Sequence, residues 1–575
     1  MRFVVLIFCG ALLFNSHPVS AQAPSPNPQL QALAQEFFEW RRVQQPAGGD
    51  DIPRVERPDG WVPDFSLQAL GESQAQYRRF KRRLGELDRE SWTLSDQVDA
   101  RLLLSAIERV YWELEILQTP YRNPLFYVDQ TLGSLFELLI LSSPISEKRA
   151  ENLLVRLEHI PLTLDSARQN LVRPVRPFAT ATIDTLAGIG QRLETMSLAL
   201  KTEFPAGLHQ RLDDSVQNAV AGLEEYSAWL ASRLDTMQTA FAIGPVSYQW
   251  FLSQVALIPY TPGELLSQGR QAWEHAVALD AIEHNRNREL PELPVFENGE
   301  QQIRAAAVKE EEIRNFLQTN RLMSVPDWLQ HYRYRLMPAH LEPLAFMGVT
   351  DDLTSETRLD EDAFSYIREP SLELSYFALS AARDPRPLTI HEGIPGHYYQ
   401  LALSWTHPNP IRRRYFDSGA NEGIGFYVEE LMLRAGMFDF SPKSREIIYS
   451  FMRLRALRVE VDIRLAVGDF TIEQAGEYLA RTVPMDRATA NQEAVFFAFN
   501  PGQAISYQIG KLQILSFLSD TRLEEGDQFS LLEFHDYLMR NGNVPIALQR
   551  WEYLGKDDEI LRLGVLRGDP VTVPQ

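Results

Sequence analysis

The sequence predicts an all-α fold, predominantly helical with a minor β component, and three observations carry that prediction. Apolar residues recur at three- and four-residue spacing along most of the chain. Runs that alternate apolar with polar residues, the mark of half-buried strands, are few. The periodic stretches are separated by short clusters of Pro and Gly and not by long linkers.

Taken in order, the first helical stretch covers 29–42 and ends before the cluster from Pro46 to Pro53. After Pro58-Asp59-Gly60 the pattern resumes over 67–87 and again over 94–118. The stretch at 147–171 begins beyond Pro144 and stops short of Pro174 to Pro177. Periodicity then covers 180–200 and 208–240, with later breaks at Pro245, Pro259 to Pro262 and Pro291 to Pro294. A late helix is expected over 445–467. No convincing repeat of 20 to 50 residues recurs, so a solenoid is not supported. Residues 341–390 differ: β-formers appear at Phe364-Ser-Tyr-Ile367 and over 372–379, followed by Asp384-Pro-Arg-Pro387. This segment reads as strand or irregular backbone leading into a site.

The chain has 575 residues, 45% of them hydrophobic and 23% charged, enough to bury a large core. Its 31 Gly and 35 Pro are too few for collagen-like or broadly disordered character. A net charge of −21 repels nucleic-acid phosphate, and no local basic patch overrides it. Met1-Arg2, an apolar or small stretch from Phe3 to Phe14 and the small residues Val19-Ser20-Ala21 read as a cleavable signal peptide over 1–21. The product is expected in the periplasm or secreted. The apolar stretch is too short to span a bilayer, which takes about 20 residues, and no later stretch is long enough. The single cysteine, Cys9, lies mid-stretch behind the bulky Phe8, which argues against lipid attachment there. The mature chain is then free of thiols. Residues 22–340 are read as a helical scaffold and 341–575 as the region bearing the site, the two forming one cooperative unit.

Chemistry concentrates in Thr389-Ile-His391-Glu392-Gly-Ile-Pro395-Gly396-His397. His, then Glu, then a second His is the ligand, base, ligand order of zinc peptidases. The two histidines are six residues apart, which on a regular helix separates them by about 240°. Pro395 and the flanking glycines predict a broken or bulged helix there, which can bring both rings to one side. A third ligand is expected on a neighbouring helix, and the segment from Asp417 to Leu433 opens with capping residues before turning helical. Glu422 and Glu429, seven residues apart, share one face of it. Glu422 is assigned as the third ligand, and Glu429 as a supporting carboxylate that holds a ligand imidazole or a nearby helix. Tyr507 is the candidate donor to a developing oxyanion. Lys511, one turn further, reads as an exposed lysine, and His275, His284, His331 and His340 show no ligand spacing. Neither a Gly-x-Ser-x-Gly elbow nor a phosphate-binding Gly-x-x-x-x-Gly-Lys loop is present.

The string from His391 to His397, the Glu422-Gly-x-Gly-Phe-Tyr-x-Glu429 segment and Pro501-Gly-Gln-Ala-Ile-Ser-Tyr507-Gln-Ile-Gly510-Lys511 resemble the bacterial family known as domain of unknown function 885. Asn123-Pro-Leu and the 147–172 stretch resemble its amino-terminal half. The resemblance implies a large multi-helix array with a deep central cleft and a place among gluzincin-type zinc metallopeptidases. Glu422 falls where the glutamate ligand lies in sites of the angiotensin-converting-enzyme and thimet-oligopeptidase type. Many members carry a second His after the one matching His397, and here that position is Tyr398. The expected activity is hydrolysis of short peptides, or of another small amide or ester, with one Zn²⁺ held by His391, His397 and Glu422. Glu392 is the expected general base. A non-catalytic exported binding protein is the alternative.

Overall fold

The computed structural model describes residues 27–48, 54–142 and 144–564. The expected signal peptide, with Cys9, lies outside them. The described chain is a helical array with one small sheet, as the periodicity predicts.

Most predicted helices appear within a few residues of their expected bounds, at Pro28–Gln44, Leu67–Gly85, Glu147–Asn170 and Pro442–Val467. The stretch at 94–118 forms α1 (Leu94–Tyr111), started by a reciprocal Thr93–Asp96 capping box and continued by a π-helical turn over Trp112–Ile116. The 180–200 stretch belongs to two helices, Arg176–Leu186 and Ile189–Leu200, parted at Gly188, whose φ of 72° lies in the left-handed region. The 208–240 stretch stops at Ala231, and a short 3₁₀ turn follows at Leu234–Thr236. Residues 372–379 depart from the expected strand, because Tyr376–Arg383 is a helix. Its aromatic start packs on Phe451, with ring centroids 5.7 Å away from Tyr376 and 5.5 Å from Phe377, and Asp486 accepts the Tyr376 N–H. Tertiary contacts there override the β propensity of the aromatic residues.

The sheet has the order β1-β3-β2. Strand β1 (Tyr332–Leu336) runs parallel to β3 (Ala363–Ile367), with Tyr332 opposite Ala363, and β2 (Asp351–Asp352) pairs antiparallel with β3. The expected strand at Phe364 to Ile367 is β3. Strand β1 was not predicted.

The largest core gathers the amino-terminal helices through residues such as Phe37, Leu102, Leu157 and Leu223, and draws in Tyr415, Trp551 and Leu563 from late in the chain. A second core packs Tyr332, Ile390, Ile424, Phe426 and Phe517. Between these walls lies a cavity of about 1700 Å³, lined by Arg109, Phe126 and Asp129 on one side and by His391, Glu422 and Tyr507 on the other. Among the described residues no helix is long and apolar enough to cross a membrane.

Candidate metal centre

Thr389–Gly393 is one π-helical turn, residues 394–396 leave the helical path, and α2 (His397–Trp405) starts at the second histidine. The break expected from Pro395 and its glycines is therefore present. A Cβ on Gly396 would collide with the His391 carbonyl oxygen, and one on Gly393 would come within 2.6 Å of the Tyr332 ring. Only residues without side chains fit at these two turns. The turn brings the two imidazoles together, centroids 4.7 Å apart and nearly perpendicular at 80°.

Glu422 and Glu429 both lie on α3 (Ser418–Arg434), whose N-cap Asp417 accepts the Ala420 N–H. Glu422 Oε2 stands 3.4 Å from His391 Nε2 and 3.2 Å from His397 Nε2. Two turns along the same face, Glu429 Oε1 stands 2.7 Å from His391 Nδ1. One imidazole is thus held between two glutamates of one helix. Gly425, between them in sequence, is the floor of this cradle: a Cβ there would come within 2.7 Å of His391 Cε1 and 2.9 Å of His397 Cε1.

The three atoms converge as metal ligands do. Ligand atoms about 2.0 to 2.1 Å from zinc at tetrahedral angles are about 3.4 Å from one another. The Glu422 distances to both imidazoles match that spacing, and Glu422 Oε2 is buried without a hydrogen bond among the described residues. A buried carboxylate oxygen aimed at two ring nitrogens, with no hydrogen bond to either, fits a cation. Nitrogen and oxygen donors suit Zn²⁺.

The surroundings set the charge of each group. Burial opposes ionisation of Glu422, but the imidazoles of His397 and His391 outweigh it and hold the carboxyl well below its ordinary range. Burial and the Arg455 charge work against protonation of His391, yet Glu422 and Glu429 raise it to about 9. A metal would displace that proton. Burial lowers His397. Burial also raises the Glu392 carboxyl above its usual range; His391 works against this, and the Asp351 and Glu422 carboxylates add to it. Glu392 lines the cavity and makes no hydrogen bond among the described residues. Tyr507 also reaches the site, its ring 6.2 Å from that of His391 and inclined by 12°. Burial, then the Glu422 carboxylate, pushes its hydroxyl well above the ordinary value, so it stays a neutral donor.

Sequence reasoning missed the groups behind these. On α4 (Pro442–Val467), Arg455 places Nη2 2.8 Å from Glu429 Oε1 and Nη1 3.1 Å from Oε2. Arg458 pairs with Glu493 and lies 4.5 Å from the Tyr507 ring centroid. Asp462 accepts from the backbone N–H of Gly502 at 2.8 Å and of Ile505 at 3.1 Å, fixing the loop before α5 (Ser506–Glu525), which carries Tyr507. The signal was present: Arg455, Arg458 and Asp462 are charges on the apolar face of one helix at i, i+3 and i+7.

Two sequence readings are corrected. Lys511 is buried, with Nζ 2.8 Å from Glu430 Oε2, because α5 packs that face against α3. His331 lies within 3.0 Å of Glu310 Oε2 and 3.6 Å of Glu311 Oε1, ligand spacing that sequence distance concealed. Arg314, 2.6 Å from Glu310 Oε1, already supplies a cation there. Tyr398, where a second His was noted in relatives, is buried in the second core with its ring 6.5 Å from that of Tyr332.

Residues 47–279 and 373–551 match the family described as "Bacterial protein of unknown function (DUF885)". Two solved structures, each described as a "putative lipoprotein", are similar. That from Shewanella oneidensis, described as of unknown function, has a TM-score of 0.69 at 16% identity and covers 92% of this chain and 99% of its own. That from Colwellia psychrerythraea has a TM-score of 0.69 at 16% identity, over 91% and 97%. These likenesses establish the shared fold. No curated protein matches the sequence.

Proposed function

The chain belongs to the bacterial family of unknown function DUF885, and for it we propose metal-dependent hydrolysis of peptide bonds in short chains. The observation that carries the reading is the convergence of His391 Nε2, His397 Nε2 and Glu422 Oε2 at the floor of a large cavity. These three residues would hold a zinc ion, which when bound polarises a carbonyl and lowers the pKa of water toward about 7. Glu392, unpartnered on the cavity wall beside His391, accepts the proton of the attacking water and delivers it to the leaving amine nitrogen. The neutral Tyr507 hydroxyl donates to the oxygen that gains charge as the carbonyl carbon becomes tetrahedral. Glu429, paired with Arg455, stands 2.7 Å from His391 Nδ1 and so keeps Nε2 toward the cavity. On this proposal the protein would be grouped with the gluzincin-like zinc peptidases.

Digestion of a mixed peptide library, read by mass spectrometry with and without chelator, tests the reading together with metal analysis of the purified protein. The expected result is about one zinc per chain and cleavage that the chelator stops. Cleavage of non-peptide amides or esters alone would move the substrate class. A protein without stoichiometric metal, whose melting is unchanged by chelator, would be an exported binding protein instead.

We also propose that the protein is exported, on the signal-peptide reading of residues 1–21 and on the description of both structural neighbours as lipoproteins. Cell fractionation tests export. Labelling with a radioactive fatty acid, in the natural sequence and in Cys9→Ser, separates a soluble product from an anchored one.

A further inference from the structure

Every arginine that lines the cavity, with one exception, is already bound to a carboxylate or a carbonyl oxygen. The exception is Arg109, which among the described residues has no carboxylate within 4.0 Å and no hydrogen bond from its side chain. It is half-buried and lines the cavity that also holds His391, His397 and Glu422. An arginine partly removed from water and left without an acceptor is poised for an anion.

Its position is fixed on both sides. One turn earlier on α1, the Ser105 hydroxyl bonds the Val255 carbonyl at 2.6 Å and the Tyr415 hydroxyl at 2.9 Å. One turn later, Glu113 holds Arg41 at 2.6 and 2.7 Å. Tyr415 stands two residues before Asp417, the N-cap of the helix that carries Glu422. The Arg109 charge is close enough to Asp417 to oppose the effect of burial on that carboxyl. Asp417 lies about 7.5 Å along the helix axis from Glu422, roughly two residues of extended chain. Because Glu113 neutralises Arg41, Arg109 is, among the described residues, the one guanidinium in this part of the cavity without an ion pair. That matches a monoanion better than a polyphosphate, which the net charge of −21 also repels.

We infer that Arg109 binds the terminal carboxylate of the substrate, so that the metal centre cuts peptides near a free carboxyl end. The inference rests on the hydrolytic reading for its catalytic half only. In the cleavage, water adds across the peptide bond: the carbonyl carbon gains the hydroxyl, the C–N bond breaks, and the amine nitrogen leaves with the proton. The fork of the guanidinium takes both oxygens of the carboxylate. Arg109 is a binding residue and takes no part in the bond changes.

The test measures binding apart from turnover. N-acetyl-Phe-Ala-Leu and its carboxyl-terminal amide are titrated calorimetrically into zinc-loaded Glu392→Gln protein, and into the same protein also carrying Arg109→Ala or Arg109→Lys, with circular dichroism to confirm folding. The free acid is expected to bind about 10- to 100-fold more tightly than the amide. Arg109→Ala should abolish that preference and leave the amide unaffected, and Arg109→Lys should restore part of it. Equal binding of acid and amide, no binding of either, or equal weakening of both by Arg109→Ala would overturn the inference. Library digestion with the unmodified sequence is read separately: cleavage without preference for free carboxyl ends also overturns it, while leaving hydrolysis intact. A carboxylate preference lost in Arg109→Ala, in a protein that cleaves nothing, would sink the hydrolytic reading and keep the site.

Discussion

His391 Nδ1 lies 2.7 Å from Glu429 Oε1, so the imidazole's second nitrogen is occupied and only Nε2 remains for a ligand role. Arg455 in turn donates to Oε2 of that glutamate and pairs ionically with Oε1 at 2.8 Å. Glu429→Gln should therefore keep the shape but weaken the grip on His391. Zinc affinity, measured by competition with a chromogenic chelator, is expected to fall about 10- to 100-fold. Glu429→Ala should also lose about 3 to 5 kcal/mol of stability, since it strands the buried Arg455 charge.

Gly425 gives a sharper probe of the ligand geometry. A methyl group there meets both imidazoles at under 3 Å, at a position where Ala favours the helix. Gly425→Ala should keep its far-ultraviolet circular dichroism and lose stoichiometric metal. A variant that binds zinc as tightly as the unmodified protein would show that the two rings do not share an ion.

Glu392→Gln separates holding the metal from using it. The amide cannot accept a proton, and Glu392 is no part of the converging ligand set. Zinc content should be unchanged, while kcat on any cleaved peptide falls by about 10² to 10⁴. Full activity in this variant would exclude Glu392 as the base.

Asp129, on the cavity wall, provides a pH signature. Burial alone pushes its carboxyl up to about 8, and among the described residues nothing compensates. Below about 4 both folded and unfolded chains keep the proton, so stability is unaffected. Between about 4 and 8 only the unfolded chain ionises, and stability falls as pH rises; above 8 the full cost is present. Asp129→Asn should match the unmodified protein at pH 4 and exceed it by about 2 kcal/mol or more at pH 9 in urea unfolding. Equal pH dependence in both proteins would place the Asp129 carboxyl in water.

Legibility in the sequence followed the range of the interactions. The helices at 67–85 and 147–170 were readable because a helix declares itself through neighbours three and four apart. Glu422 and Glu429 were readable because seven residues set them on one helix face, and the histidines because Pro395 and its flanking glycines break a helix that would otherwise hold the rings about 240° apart. Strand β1 was not, since its pairing with β3 joins residues some thirty apart, as in Tyr332 opposite Ala363. Arg109 and Arg455 were hidden for the same reason: one is an ordinary helical arginine until the opposite wall is in place, the other an arginine among many until Glu429 meets it. The helix at 376–383 was misread because its aromatic residues answer to Phe451, not to their own neighbours.

The crossing of α3 and α5 has a further consequence. A Cβ on Gly423 would stand 2.7 Å from Gly510 Cα, and one on Gly510 equally close to Gly423 Cα, so the two backbones touch with nothing between them. Such a seam leaves no side chain to repack and no room to slide. Glu422, one residue before the seam, and Tyr507, one turn before it on the other helix, therefore travel as one rigid body. Any widening of the cavity that admits a substrate leaves Glu422 and Tyr507 at a constant separation.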